Sequence, residues 1–250
     1  MTLASEPPLH KLQFYVTTPY KCGYLPNKLA QSLIASPQHL IDASVYSGLI
    51  AQGFRRSGKF AYRPHCESCR ECIAIRLVLS KFTPTRSQKR AHKQHANLSA
   101  RILTLGYNQN HFELYTSYQA LRHNEYDFNA QTSEKDCAQK DSAEQYRQFL
   151  CQSNVESLMI EFSDVNNQIK MISVVDIVQD GVSAVYTFYD ALDTKCSYGT
   201  YSIMWLTEWT KSLNLPYLYL GYWIKDSQKM AYKQQFTPQE KLIDGEWLNI

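Results

Sequence analysis

Three cysteines at C-x2-C-x2-C spacing, Cys66, Cys69 and Cys72, form the first group in this 250-residue chain able to do chemistry. Ligands two residues apart, joined by short turns, converge on one small centre. Zinc sites more often use two separate C-x2-C pairs, whereas this run is closer to that of bacterial iron–sulfur proteins. Cys22 is the natural fourth ligand, with His65 and His10 as substitutes, and free thiols are the plain alternative. Cys137, Cys151 and Cys196 lack ligand spacing. An odd total of seven, with no apolar leader in the first 19 residues, argues against a disulfide framework and for a reducing compartment.

A second group is cationic. Arg86, Lys89, Arg90 and Lys93 recur at i, i+3, i+4 and i+7, so on a helix all four share one face. Like charges stacked this way cost a few tenths of a kcal/mol per pair unless an anion neutralises them, which favours a backbone-tracking phosphate contact over a solvated face. His92 and His95 lie beside them. The segment from Gly53 to Gly58 reads as a tight, glycine-bounded turn carrying Arg55 and Arg56, able to grip a carboxylate or phosphate. Residues 43–112 hold twelve Lys or Arg against two acids, while the rest of the chain holds 14 against 21. The net charge of +3 hides that division, and a basic field of this kind suits nucleic acid.

Other chemistries are excluded by absence. No G-x-G, P-loop, G-x-S-x-G or H-E-x-x-H motif occurs, so neither a nucleotide cofactor nor a covalent nucleophile is advertised. A mean hydropathy of −0.41 and the lack of an apolar run of roughly 20 residues predict a protein that is cytoplasmic and makes no membrane contact.

The elements that must position these groups follow from periodicity. Helices are expected over 42–52, 84–96, 111–125, 142–152, 201–213 and 227–235, and strands over 73–79 and 101–105. Three β-rich runs, 155–162, 168–178 and 181–189, are separated by the hairpin signals Asn166-Asn167 and Asp180-Gly181, with a further strand over 216–222. Residues 129–141 read as a loop. The sum is an α+β fold, divided into a cysteine-bearing basic unit over 1–110 and a second domain over 111–250.

Several short sequences, in order, resemble one known family. They are Cys22-Gly-Tyr-Leu-Pro26, Gly53-Phe-Arg-Arg-Ser-Gly58, Tyr62-Arg-Pro-His-Cys66 with Cys69 and Cys72, and Phe82-x-Pro84-x-Arg86. The back half adds Thr187-Phe-Tyr-Asp190, Ser197-Tyr-Gly-Thr200, Tyr219-Leu-Gly-Tyr222-Trp-Ile224 and Lys229-Met-x-Tyr232-Lys233. Together they look like the bacterial aspartate/glutamate leucyltransferases, relatives of the arginyl-tRNA–protein transferases. The resemblance implies leucine transfer from leucyl-tRNA to the α-amino group of proteins beginning with Asp or Glu. It also implies an N-degron product handed to the Clp protease adaptor, and an acetyltransferase-like (GNAT) domain with an antiparallel-rich sheet over 111–250. No cofactor is implied for transfer itself, while Cys22, Cys66, Cys69 and Cys72 are expected to hold an iron–sulfur cluster or zinc. Leu25 stands where the eukaryotic relatives have a second cysteine, which leaves the metal open.

Such a reaction is aminolysis of an activated ester, and the acceptor α-amine, with a pKa of about 7.7–8.0, needs no strong base. Asp190 is the candidate base, or else a residue bonding the following turn. Arg55, Arg56 and Arg76 are the candidates for the acceptor's side-chain carboxylate. Arg86, Lys89, Arg90 and Lys93 are assigned to the tRNA backbone, and Tyr222, Trp223 or Tyr189 to stacking on its terminal adenosine. Two readings from other classes stand beside this one. A coenzyme A-dependent N-acyltransferase is opposed by the missing G-x-G, and a metal-bearing RNA-binding module would leave the second half idle.

Overall fold

The computed structural model describes residues 9–123, 142–193 and 197–249. Fourteen strands and six helices are present among them, with short 3-10 turns. A four-stranded sheet, in the order β1 (Gln13–Val16), β4 (Ser32–Ser36), β6 (Phe60–Pro64), β5 (Arg55–Ser57), belongs to the first third of the chain. A two-stranded ribbon, β2 (Tyr20–Lys21) with β3 (Leu29–Ala30), presents the Cys22 loop.

The main sheet has eight strands. Their order is β14 (Glu246–Asn249), β13 (Gln239–Ile243), β7 (Ile73–Val78), β12 (Tyr217–Trp223), β11 (Gly181–Tyr189), β10 (Ile169–Val178), β9 (Ser157–Ser163), β8 (Ser99–Thr104). All neighbours are antiparallel except β11 and β12, which are parallel and therefore need the crossover helix α5 (Tyr198–Ser212). Strands β7 and β8 come from the first 110 residues, so the sheet runs across the division expected there.

Alternating side chains divide between the faces. Ile160, Phe162, Met171, Leu218 and Leu220 pack against Tyr201, Met204 and Leu206 of α5. On the other face Met159, Ile172, Val174 and Phe188 meet Phe112 of α3 (Gln109–His123) and Tyr146 and Leu150 of the helix α4 over 142–150. Val45, Leu49 and Ile50 of α1 (Ala43–Ala51), capped by Asp42 accepting from the Val45 N–H at 2.8 Å, close the core beneath the small sheet. Helix α2 (Arg86–Gln94) begins at a capping box in which Thr85 and Gln88 satisfy each other's backbone N–H groups.

Most sequence expectations coincide with these elements within a few residues. The loop expected over 129–141 and the last two residues of the 111–125 helix lie outside the described residues. Helix 227–235 is one α-turn, α6 (Gln228–Ala231), followed by a 3-10 turn, Tyr232–Gln235. Gly53 to Gly58 is not a turn throughout: Arg55–Ser57 is strand β5, and the chain reverses after it at Gly58 to pair with β6. The strand geometry matters because consecutive side chains then point to opposite faces, and Arg55 and Arg56 part company.

Candidate active site

The parallel ladder of β11 and β12 is short. Gly181, Val182 and Ser183 pair with Tyr217, Leu218 and Tyr219, and there it ends although both strands continue. Each strand carries a bulge at that level. Val174 of β10 opposes Tyr186 and Val175 opposes Ala184, which leaves Val185 as the extra residue of β11. Arg76 of β7 opposes Tyr219 and Ile75 opposes Gly221, which leaves Leu220 extra in β12. A bulge bends its strand and increases its twist, so two at one level drive the strands apart. Gly221 sits at the bend with φ +75°, a left-handed conformation natural to glycine.

A cavity of about 620 Å³ occupies the gap. Its walls include Ala184 to Thr187 from β11, Leu220 to Tyr222 from β12 and the first turn of α5, with Tyr24 and Tyr62 from the first third of the chain. Tyr189, Tyr198, Ile203 and Met230 extend an aromatic and apolar lining. Thr187 and Ser202 of its wall form, with Ser173 behind them, a hydroxyl triangle with sides of 3.1, 2.9 and 3.3 Å.

Two cations enter this space from opposite arms. The guanidinium of Arg55, 8% exposed, donates to Ser183 Oγ at 3.1 Å and to the carbonyls of Ala184 and Val185 in β11. It lies so close to β12 that a Cβ on Gly221 would approach its Cζ to 3.1 Å. Lys233 Nζ donates to the carbonyls of Leu220 at 2.8 Å and Tyr222 at 3.0 Å, both in β12. Burial, and secondly the charge of Arg55, bring the Lys233 ammonium down to about 7. In the sequence Lys233 stands out only as part of a family motif, and nothing local marks it as entering a cavity.

The other expected site residues are distributed as follows. Arg56 turns away from Arg55: its Nε and Nη2 embrace Asp176 at 2.7–3.0 Å, and Nη1 donates to the carbonyls of Gly58 and Gln152. That buried guanidinium is engaged in an ion pair, although Arg56 also borders the cavity. Arg76 is engaged likewise. It donates to Glu240 at 2.8 Å and to Tyr219 Oη at 3.1 Å, stacks over Tyr217 and Trp247, and is not part of the cavity wall. Asp190 accepts from the Leu192 N–H at 3.3 Å and from Lys170 Nζ at 3.4 Å. These bonds match its turn-bonding alternative, and Asp190 is not among the residues that line the cavity.

Tyr222 lines the cavity while its hydroxyl donates to the Gly53 carbonyl at 2.8 Å, whereas the ring of Trp223 lies under Lys241 Nζ and outside the described wall. Arg86, Lys89, Arg90 and Lys93 are all exposed on α2. His95 is turned inward and stacks on Tyr198 at 4.5 Å between ring centres, and His92 pairs with Glu208 at 3.5 Å. Beside the basic face is a polar recess of about 330 Å³ lined by Arg90, Gln94, Ser197, Thr200 and Gln235 among others. Ser197 and Thr200 also line the main cavity, so the two spaces adjoin.

The four expected metal ligands are neighbours. Burial first, then Cys66, Cys22 and Cys69, push the Cys72 thiol up to about 12. The Leu25 N–H donates to Cys22 Sγ at 3.4 Å, and Cys66 Sγ donates to the Gln31 carbonyl at 3.8 Å. Among the described residues, no group of three or more His, Cys, Asp or Glu side chains is gathered closely enough to hold a metal ion. The arrangement is one of adjacent thiols rather than an assembled ligand set, and no chemical step is routed through it. His10 has no described side chain, and Cys137 and Cys196 lie outside the described residues. No helix among those residues is long and apolar enough to cross a membrane.

Comparison with known proteins matches both halves of the chain to one family. Residues 20–90 match the N terminus, and 110–243 the C terminus, of arginine-tRNA-protein transferase. The chain is 63% identical over 250 residues to an aspartate/glutamate leucyltransferase of Methylobacillus flagellatus, covering 100% of this chain and 96% of that one. It is 50% identical to the protein so named in Polynucleobacter asymbioticus, covering 99% and 98%, and 46% identical to that of Thiobacillus denitrificans, covering 97% of each.

Proposed function

The chain belongs to the arginine-tRNA–protein transferase family, and from that premise we propose that the cavity between β11 and β12 is where an aminoacyl ester meets an acceptor amine. The protein is an aminoacyltransferase, of the aspartate/glutamate leucyltransferase kind. It moves leucine from leucyl-tRNA to the α-amino group of a protein beginning with Asp or Glu. The observation that carries the assignment to this cavity is its double boundary: buried Arg55 and half-buried Lys233 on its arms, and a polar recess leading from it to the basic face of α2.

In this reading Arg86, Lys89, Arg90 and Lys93 follow the phosphates of the tRNA acceptor end, and the recess at Ser197 and Thr200 passes the terminal nucleotide inward. Tyr189 and Tyr222 offer aromatic faces for the adenine. Ile203, Leu220 and Met230 offer the apolar surface that a leucyl side chain needs, where an arginyl chain would require carboxylates. Arg55 is the receptor for the acceptor's side-chain carboxylate, because its described hydrogen bonds leave Nε uncommitted and it reaches the cavity. The sheet that opens at two bulges supports an acetyltransferase-like fold turned to aminoacyl transfer. The leucine-tagged product would pass to the Clp protease adaptor in the cytoplasm, which makes the reaction a marking step for degradation.

The chemistry asks for orientation more than for activation. An aminoacyl ester is already reactive, and holding amine and carbonyl in contact can supply several kcal/mol of the barrier. The test is direct transfer. Purified protein is incubated with labelled leucyl-tRNA, or separately arginyl-tRNA, and a peptide beginning with Asp. Label from leucyl-tRNA entering the peptide supports the reading; no transfer from either donor refutes it. An R55A variant that still prefers Asp over Asn N-termini would remove Arg55 from the acceptor site.

A further inference from the structure

Lys233 has a geometry that transfer alone does not require. Its Nζ is bonded to Cε and directed at two backbone carbonyls, Leu220 at 2.8 Å and Tyr222 at 3.0 Å. A neutral amine has two hydrogens, and both are engaged by those carbonyls. The fourth tetrahedral direction then holds the lone pair, on a side chain that lines the cavity. In the ammonium form the same direction holds the third proton. The backbone of β12 thus fixes where a proton can be accepted or given.

We propose that Lys233 is the proton-transfer residue of the reaction, a catalytic residue that serves first as base and then as acid on the substrates in the cavity. The proposal rests on the function inferred above. As the acceptor's α-nitrogen forms its bond to the leucyl carbonyl carbon, that nitrogen passes a proton to the neutral Nζ. The carbon–oxygen ester bond then breaks with its electron pair on the ribose oxygen, and Lys233 returns the proton to that oxygen. The products are an amide and a free tRNA hydroxyl, and Lys233 is regenerated neutral.

Its surroundings suit the role. Among the described ion pairs Lys233 has no carboxylate partner to hold it charged. The titratable groups sharing the cavity with it include Arg55 from β5, Tyr62 from β6, Tyr222 from β12, Tyr198 from α5 and its neighbour Tyr232; Asp193 is the carboxylate of the described wall. Burial raises Tyr232 to about 12 and Tyr222 well above the usual phenol range, so both remain protonated donors. Lys233, drawn down to about 7, exchanges its proton near neutrality.

The experiment is single-turnover transfer of labelled leucine from leucyl-tRNA to saturating Asp-initiated peptide, from about pH 5.5 to 9. Wild-type rate should fall about tenfold per unit between about pH 7.7 and 7, as the peptide amine protonates, and about 100-fold per unit below about 7, where Lys233 is protonated as well. K233R keeps a cation and its donors but has no usable lone pair. It should lose about 100-fold or more, with peptide KM changed less than about threefold, and its residual rate should follow only the peptide amine at about 7.7–8.0. K233M, checked for an unchanged unfolding temperature, should behave the same way if arginine disturbs the cavity. A K233R or K233M enzyme within about threefold of wild type, or one retaining the 100-fold-per-unit limb below about pH 7, overturns the proposal. So does a wild-type profile that tracks the peptide amine alone. Wild-type protein that transfers nothing defeats the functional reading itself, an outcome distinguishable from all of these.

Discussion

Removing the side chain of Arg56 should unfold much of what holds the site together while leaving acceptor chemistry untouched in kind. Asp176 is 0% exposed and accepts from Arg56 Nε and Nη2, with Ser157 Oγ adding a bond at 2.6 Å. In R56A the carboxylate keeps one described side-chain donor and loses its counter-charge in a place that water does not reach. Breaking a buried pair from one side costs about 3–5 kcal/mol, a large fraction of the 5–15 kcal/mol typical of a whole domain. The carbonyls of Gly58 and Gln152 also lose their donor, which loosens β5 where it enters with Arg55. Denaturant unfolding of wild type, R56A, D176N and R56A/D176N gives the cycle. The double variant should be less destabilised than the sum of the singles, because neither charge is then stranded. A cost for R56A below about 1 kcal/mol, or strict additivity, would refute the buried-pair account. If instead folded R56A lost its preference for Asp over Asn N-termini, the guanidinium would be a receptor after all.

Three further outcomes follow from the same structure. Neutralising Arg86, Lys89, Arg90 and Lys93 together should weaken tRNA binding at all salt concentrations. It should also flatten the slope of log K against log salt by up to about 3.6, at roughly 0.7–0.9 per phosphate contact; an unchanged slope places the tRNA elsewhere. G221A should cost about 1–2 kcal/mol from the left-handed backbone alone and push Arg55 off the β11 carbonyls, since its Cβ would come 3.1 Å from the guanidinium carbon. Wild-type-like transfer and stability in that variant would contradict the bulge geometry. T85A should lose about 1 kcal/mol of stability by removing the cap of α2, with a modest loss of tRNA affinity measured by filter binding.

Local signals account for much of the architecture. The Asp42 cap, the Thr85–Gln88 capping box and the Asp180-Gly181 reversal are each complete within a few residues, and the helices and hairpin they predict are present. The C-terminal hairpin of β13 and β14, absent from the expected elements, has a signal just as local, Asp244-Gly245 between Leu242-Ile243 and Trp247-Leu248. The basic stripe of α2 needed only the 3.6-residue period. Arg55 and Arg56 show where that reach ends. A turn would present both, a strand separates them, and the choice depended on β6 being available to pair with β5.

The charge division, the cysteine spacing, the order of helices and strands and the family's motifs are legible along the chain, because each is a property of composition or of residues close together in it. The site is a product of folding. The gap between β11 and β12 arises from two bulges on strands brought together by α5, each defined by a third strand, β10 or β7, on its far side. The low pKa of Lys233 arises from burial and from Arg55, which lies 178 positions earlier in the chain. Desolvation and Coulomb fields act through space, and no stretch of this sequence contains the neighbours that produce them.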